Sequence, residues 1–202
     1  SGQIFQGFGS GHYGIYNQMV ILKSKPLITR AINDLEMEVS YFIEDRFLTT
    51  EIYKNAPFTV VWDRDHPQLV NTGFRLTVNP DRKMELLAEG TDISAYNYLQ
   101  EKWENFYPEV KIIKKIESGV KVTVPGYYSF TVYLDDDYKP AEKSHYIFRF
   151  NTIQSLVNSY RSRLTIEQLD WESSIVDLKL KDYNTQKGID FLNRLAEVYQ
   201  LD

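Results

Sequence analysis

Cysteine is absent from the chain, which removes disulfide staples, thiolate metal sites and thiol nucleophiles at once. That absence does not fix a redox compartment, because 202 residues are enough to hold a core without covalent help. No run of about 18 consecutive apolar residues occurs, the length at which a membrane-spanning helix is read. No charged-then-apolar leader opens the chain either. The phosphate-cradling pattern GxxxxGK[ST] and the nucleophile elbow GxSxG are both missing. Basic residues are outnumbered, 23 against 28 acidic, for a formal charge of −5. Phosphate backbones need clustered Lys and Arg, so this balance argues against nucleic acid as a partner class.

Apolar residues make up 43% of the chain and aromatics 14%, ample for a packed core. Residues 1–14 hold five of the ten glycines and read as a flexible lead-in. Ile15, Met19, Leu22, Leu27, Ile28, Ala31, Ile32 and Leu35 recur at helical spacing. Pro26 divides them into two helices or one kinked helix, with Ser24 as the cap before the proline. Period-two alternation marks strands at Glu38–Tyr53 and Phe58–Trp62, then a hairpin, Gly73–Val78 with Lys83–Leu87. Tyr96, Leu99, Trp103 and Phe106 are spaced as on a helix, so Ile93–Phe106 is expected to be helical. Strands are expected at Val110–Ile116, Val120–Val124, Tyr127–Leu134 and Tyr146–Phe150. A helix from Ile153, strands Leu164–Leu169 and Ile175–Leu180, and a final helix capped by Asn184 complete the order. The pattern is that of an α+β domain with an inserted β-rich lobe. It is expected to form one domain over residues 15–202, with the insert at about 63–143.

Chemistry-bearing clusters are sparse. Asp63-Arg64-Asp65-His66 joins carboxylates to an imidazole, yet Arg64 brings a positive charge into the same loop, and it reads as a polar turn. Asp135-Asp136-Asp137 lacks the DxDxDG spacing of a calcium loop and reads as a charged hairpin tip. His145 opens a strand, and His12 lies in the glycine-rich lead-in. No catalytic residue, cofactor site or metal ligand set is expected. Tyr96, Trp103, Tyr127 and Tyr128 could stack against sugar rings, although β-rich cores use Tyr and Trp in the same alternating way.

The two ends carry further wording. Near the start, YNQMVILKSKPL places Asn17, Ile21, Leu22, Lys23 and Ser24 in a helix ending "I-L-K-S". Near the end, SSIVDLKLKDYNTQKGIDFLNRLAEVY pairs a strand with a helix. Ser174, Ile175, Val176, Leu178, Leu180, Asp182 and Asn184 mark the strand and turn; Phe191, Leu192, Asn193, Leu195 and Tyr199 mark the helix. Together these blocks resemble the polysaccharide co-polymerase family, the chain-length determinants of capsule, exopolysaccharide and lipopolysaccharide, and most of all its tyrosine-autokinase type. Lys25, Thr185 and Gly188 stand where that family usually has Arg, Pro and Ala.

The resemblance implies a mixed sheet packed by N- and C-terminal helices, a chain-length-determinant-like base. It implies a non-catalytic periplasmic domain, held at the inner membrane by spans on either side in a longer parent protein. It further implies homo-oligomerisation in the parent, a polysaccharide polymerase and an outer-membrane export protein as partners, and a cytoplasmic tyrosine kinase. On this reading Leu22, Leu27 and Ile32 pack against a sheet holding Leu178 and Leu180, while Ile189, Leu192 and Leu195 close its other side. The rival readings are a secreted or periplasmic glycan-binding module built on the four aromatic residues, and, last, a glycosidase with two facing carboxylates.

Overall fold

A computed structural model describes residues 2–6, 12–169 and 175–201, with side chains from residue 14 onward. The chain opens with strand β1 (Gly2–Gln6) and helices α1 (His12–Leu22) and α2 (Lys25–Asp34). Strands β2 (Val39–Glu44), β3 (Thr49–Glu51), β4 (Phe58–Trp62), β5 (Gln68–Val70) and β6 (Phe74–Val78) follow. The long strands β7 (Met84–Asn97) and β8 (Lys102–Ile116) precede β9 (Lys121–Val124), β10 (Tyr128–Leu134) and β11 (Ser144–Phe150). Helix α3 (Ile153–Arg163), strands β12 (Leu164–Gln168) and β13 (Ile175–Leu180), and helix α4 (Thr185–Leu201) end it. The fold is α+β, divided into two compact units: residues 1–38 with 153–202, and Val39–Thr152. The second unit thus begins and ends outside the 63–143 insert that composition suggested. Gly2–Gln6, in the expected lead-in, pairs with β13 as a strand.

In the first unit, β13 is the middle strand of a three-stranded antiparallel sheet, between β1 and β12. Its alternation is clean: Val176, Leu178 and Leu180 are buried, while Asp177 and Lys179 lie on the other face with Glu167 of β12. All four helices add side chains to the one core on the buried face, through Leu22, Leu27, Ile28, Ile32, Leu156, Tyr160, Phe191, Leu192 and Leu195. Leu192 and Leu195 therefore share the face used by Leu22, Leu27 and Ile32 instead of closing the opposite one. Ile189 is only half-buried and lies outside that core. The opposite face carries charge, as expected of a two-layer sheet wet on one side.

Asn184 caps α4, its Oδ1 accepting from the Lys187 N–H at 3.0 Å. Ser24 occupies the N-cap position of α2 with extended backbone, but its hydroxyl makes no capping bond. Pro26 in the first turn leaves fewer donors there to satisfy.

The second unit packs two sheets around one aromatic core. In the larger sheet β5 and β6 lie end to end between β11 and β7, both bonded to each. β8 flanks β7 along its whole length, and β2 and β3 extend the other side. The smaller sheet runs β4-β10-β9. Phe58, Phe74, Tyr128, Phe130, Phe148 and Phe150 fill the space between them. Phe74 stacks on Phe148 at 5.0 Å and meets Phe130 edge-on at 5.3 Å. A three-residue connection, Pro125-Gly126-Tyr127, joins β9 to β10. The Gly126 φ of +80° there suits the third position of a type II turn.

The expected helix at Ile93–Phe106 is a β-hairpin. Tyr, Trp and Phe favour a pleated surface, and Asn97 starts a turn by accepting the Gln100 N–H on Oδ1 at 3.0 Å. Ile93, Ala95 and Asn97 face the core at period two. A bulge at Ala95/Tyr96 sets Tyr96 opposite Trp103. The helical spacing of the aromatics was a coincidence of two strands read as one segment.

Candidate functional site

The four aromatic residues proposed for sugar contact do not share a surface. Tyr128 is fully buried against Phe74 and Phe130, so it cannot stack on a ligand. Tyr127 is half-buried and stacks on Tyr107 at 4.2 Å, beside the β9–β10 turn. The Tyr107 hydroxyl donates to the Gly126 carbonyl at 2.8 Å, which fixes that pair to the turn. Tyr96 and Trp103 do lie together, centroids 5.1 Å apart, near the end of the β7–β8 hairpin. Trp103 is 58% exposed and Phe106 is 60% exposed. Of the four, Trp103 alone is largely exposed, with half-buried Tyr96 beside it.

The Asp63–His66 turn spends its groups on the protein. Asp63 Oδ2 accepts from the Ser129 hydroxyl at 2.7 Å and pairs with Lys121. The Lys121 and Ser129 hydrogen bonds hold the Asp63 carboxyl below its usual range. His66 Nδ1 donates to the Pro67 carbonyl at 2.7 Å. Buried Gln68 ties this turn to β10, bonding the carbonyls of Asp63, His66 and Ser129 at 3.0–3.1 Å. In the acidic triplet, Arg82 Nη1 donates to the carbonyls of Asp135, Asp136 and Tyr138 at 3.2, 2.8 and 2.7 Å. A guanidinium occupies the concave side of that turn, where a calcium ion would need the same oxygens. Among the described residues no three His, Asp or Glu side chains converge in a way that could hold a metal. His145 bonds Thr77 across β11 and β6.

The residues of the two terminal blocks collect in the first unit. Leu22, Leu178, Phe191, Leu192 and Leu195 are core residues, and Tyr199 packs against them. Ile175 is half-buried on the outer face of β13, and Asn193 is half-buried on α4. Asn17 is exposed on α1, and Ser174 lies outside the described residues. Asp182 has a side chain only 4% exposed and pairs with Arg163 at 3.0 Å. Its other oxygen accepts the Asn184 N–H at 3.1 Å, so Asp182 holds the turn between β13 and α4. Arg163 also donates to the Lys181 carbonyl at 3.0 Å and lies over the Tyr160 ring.

One feature of this unit escaped the sequence reading. A groove of about 490 Å³ runs between α1 and β12, lined by Tyr16, Met19, Val20, Lys23, Ser24, Lys25, Arg161 and Ile166. Its apolar wall comes from α1 and Ile166, and Lys23, Lys25 and Arg161 supply positive charge. Arg161 Nε donates to the Lys23 carbonyl at 3.1 Å, which holds α3 to the α1–α2 junction. The signal was present in α1: Tyr16, Val20 and Ile21 are apolar where the outer face of a surface helix should be polar. Arg161 is separated from them by more than a hundred residues of sequence, so nothing local could place it there. No protein-family model matches the chain, and no curated protein matches it in sequence.

Proposed function

We propose that this chain is the periplasmic α+β portion of an inner-membrane polysaccharide co-polymerase. It acts without catalysis to set the length of a capsular, exopolysaccharide or O-antigen polymer and to couple its export to a cytoplasmic tyrosine kinase in the parent. The unit built on the β1–β13–β12 sheet is assigned as the membrane-proximal base. One observation carries this reading. The two sequence blocks that resemble the family lie at opposite ends of the chain, yet both contribute to one hydrophobic core. Asp182 and Asn184, two of the motif positions, order the turn that joins strand to helix.

Such a domain works by self-assembly, protomers set side by side so that their arrangement constrains the growing glycan. Deleting the parent gene in its host and resolving the surface polysaccharide by gel tests the proposal. The expected result is loss of the normal modal length, restored by the wild-type gene. An unchanged length distribution and unchanged export would overturn it. A second reading, a glycan-binding module, is favoured by one observation only: the Tyr96–Trp103 pair with Trp103 58% exposed. Calorimetry with defined oligosaccharides, repeated on Trp103→Ala, separates it from the first.

A further inference from the structure

We propose that the first unit docks directly on an anionic phospholipid surface through the outer face of α1 and the basic groove beside it. Surface helices normally turn polar residues to water. On α1 the outward positions are instead Tyr16, 66% exposed, Val20, 53% exposed, and Ile21, 47% exposed. Among the described side chains of α1, Asn17 alone interrupts them. An apolar stripe of this kind is left open to water at a cost unless something covers it.

The charges beside the stripe say what covers it. Lys23, Lys25 and Arg161 line the groove, and among the described residues none of the three forms an ion pair. The chain as a whole is acidic, at −5, so three uncompensated cations around one concavity are a local reversal of sign. A bulky apolar helix face, a tyrosine, and Lys and Arg at its margin form the composition that seats a helix in a lipid headgroup layer. Tyr16 and Val20 belong to both the stripe and the groove wall. A helix lying on the membrane by this face would enter the interface with these side chains while the cations meet headgroup phosphates. The groove opens at the start of α2, and its positive dipole end adds to the attraction for phosphate.

This inference stands on the geometry of the first unit and does not rest on the role in polysaccharide assembly. Sedimentation of the 202-residue chain with vesicles of equimolar phosphatidylglycerol and phosphatidylcholine is the test. Binding is expected to the mixed vesicles and not to pure phosphatidylcholine, and to fade in high salt. Each basic side chain near an anionic surface contributes about fivefold, so Lys23→Ala with Lys25→Ala should weaken binding roughly thirtyfold. Val20→Asp should weaken it as well. Both lysines are surface residues, so the double variant is expected to keep the wild-type thermal melt and remains decisive if Val20→Asp unfolds. No binding to the mixed vesicles, or equal binding to pure phosphatidylcholine, overturns the proposal. So does full binding by the lysine variant. Tight binding of free glycerol phosphate without vesicle preference would assign the groove to a small phosphate ligand instead, and would overturn it too.

Discussion

Arg194 on α4 holds Asp34 at the end of α2, its Nε and Nη2 donating to one carboxylate oxygen at 2.9 and 2.7 Å across 160 residues of sequence. The same guanidinium reaches Glu197 through Nη1 at 2.8 Å. Both ends of the chain are thereby joined on the surface of one unit, above the core that Leu27, Ile32, Leu192 and Leu195 form.

A double-mutant cycle on this pair should show coupling. Asp34→Ala and Arg194→Ala are each expected to lower the melting temperature slightly. The double variant should be scarcely worse than the larger single, with the difference shrinking in high salt. Leu195→Ala, in the core beneath, should cost about 2–5 kcal/mol in denaturant unfolding. A surface pair costing as much as the core leucine would contradict this ranking.

Tyr128 gives a cleaner test of the second unit. Its hydroxyl is buried with no hydrogen-bond partner among the described residues, so Tyr128→Phe should be neutral or stabilising by up to about 1–3 kcal/mol. Burial also pushes its ionisation up to about 12. In the unfolded chain the phenol gives up its proton near its ordinary value of 10.0. Stability from this group is therefore complete below that pH and is lost as pH rises through the folded value. Tyr128→Phe should flatten the loss of stability on the alkaline side, as read by urea unfolding at a series of pH values.

Asp63 acts with the opposite sign. Lys121 and Ser129 hold its carboxyl below the usual 3.8, so its contribution is present above that value and disappears as pH falls through the lower folded one. Asp63→Asn is expected to make acid unfolding less steep at that end. The change should be modest, because the Asp63 side chain is 35% exposed and Lys121 is 56% exposed.

Among the described residues, the fifteen-residue strand β8 is paired on one side only, by β7. Long edges with Trp103, Phe106 and Ile113 exposed invite pairing with other chains. Pro108, in mid-strand, and Lys111, Lys114 and Lys115 blunt this edge. Replacing Pro108 and Lys111 by Val should raise the aggregation rate, followed by light scattering on warming, with little change in the melting temperature. Unchanged aggregation would mean that these residues do not guard the edge.

Local sequence was enough for elements whose pattern comes from one segment. The 3.6-residue spacing of Leu27, Ile28, Ala31 and Ile32 made α2 legible, as did the alternation of Val176, Leu178 and Leu180 in β13 and the Asn184 cap on α4. In each case one buried face and one wet face leave their period in the chain. Tertiary structure decided the rest. Two strands with a turn hidden between them gave the false helical spacing of Tyr96, Leu99, Trp103 and Phe106. Only packing sends Tyr128 inward while Trp103 stays exposed, since Tyr and Trp suit either environment. The two-unit division, the shared face of α2 and α4, and the Arg161 that completes the basic groove all depend on contacts between residues far apart in the chain. No period or motif records such contacts, because their energy appears only when the chain closes on itself.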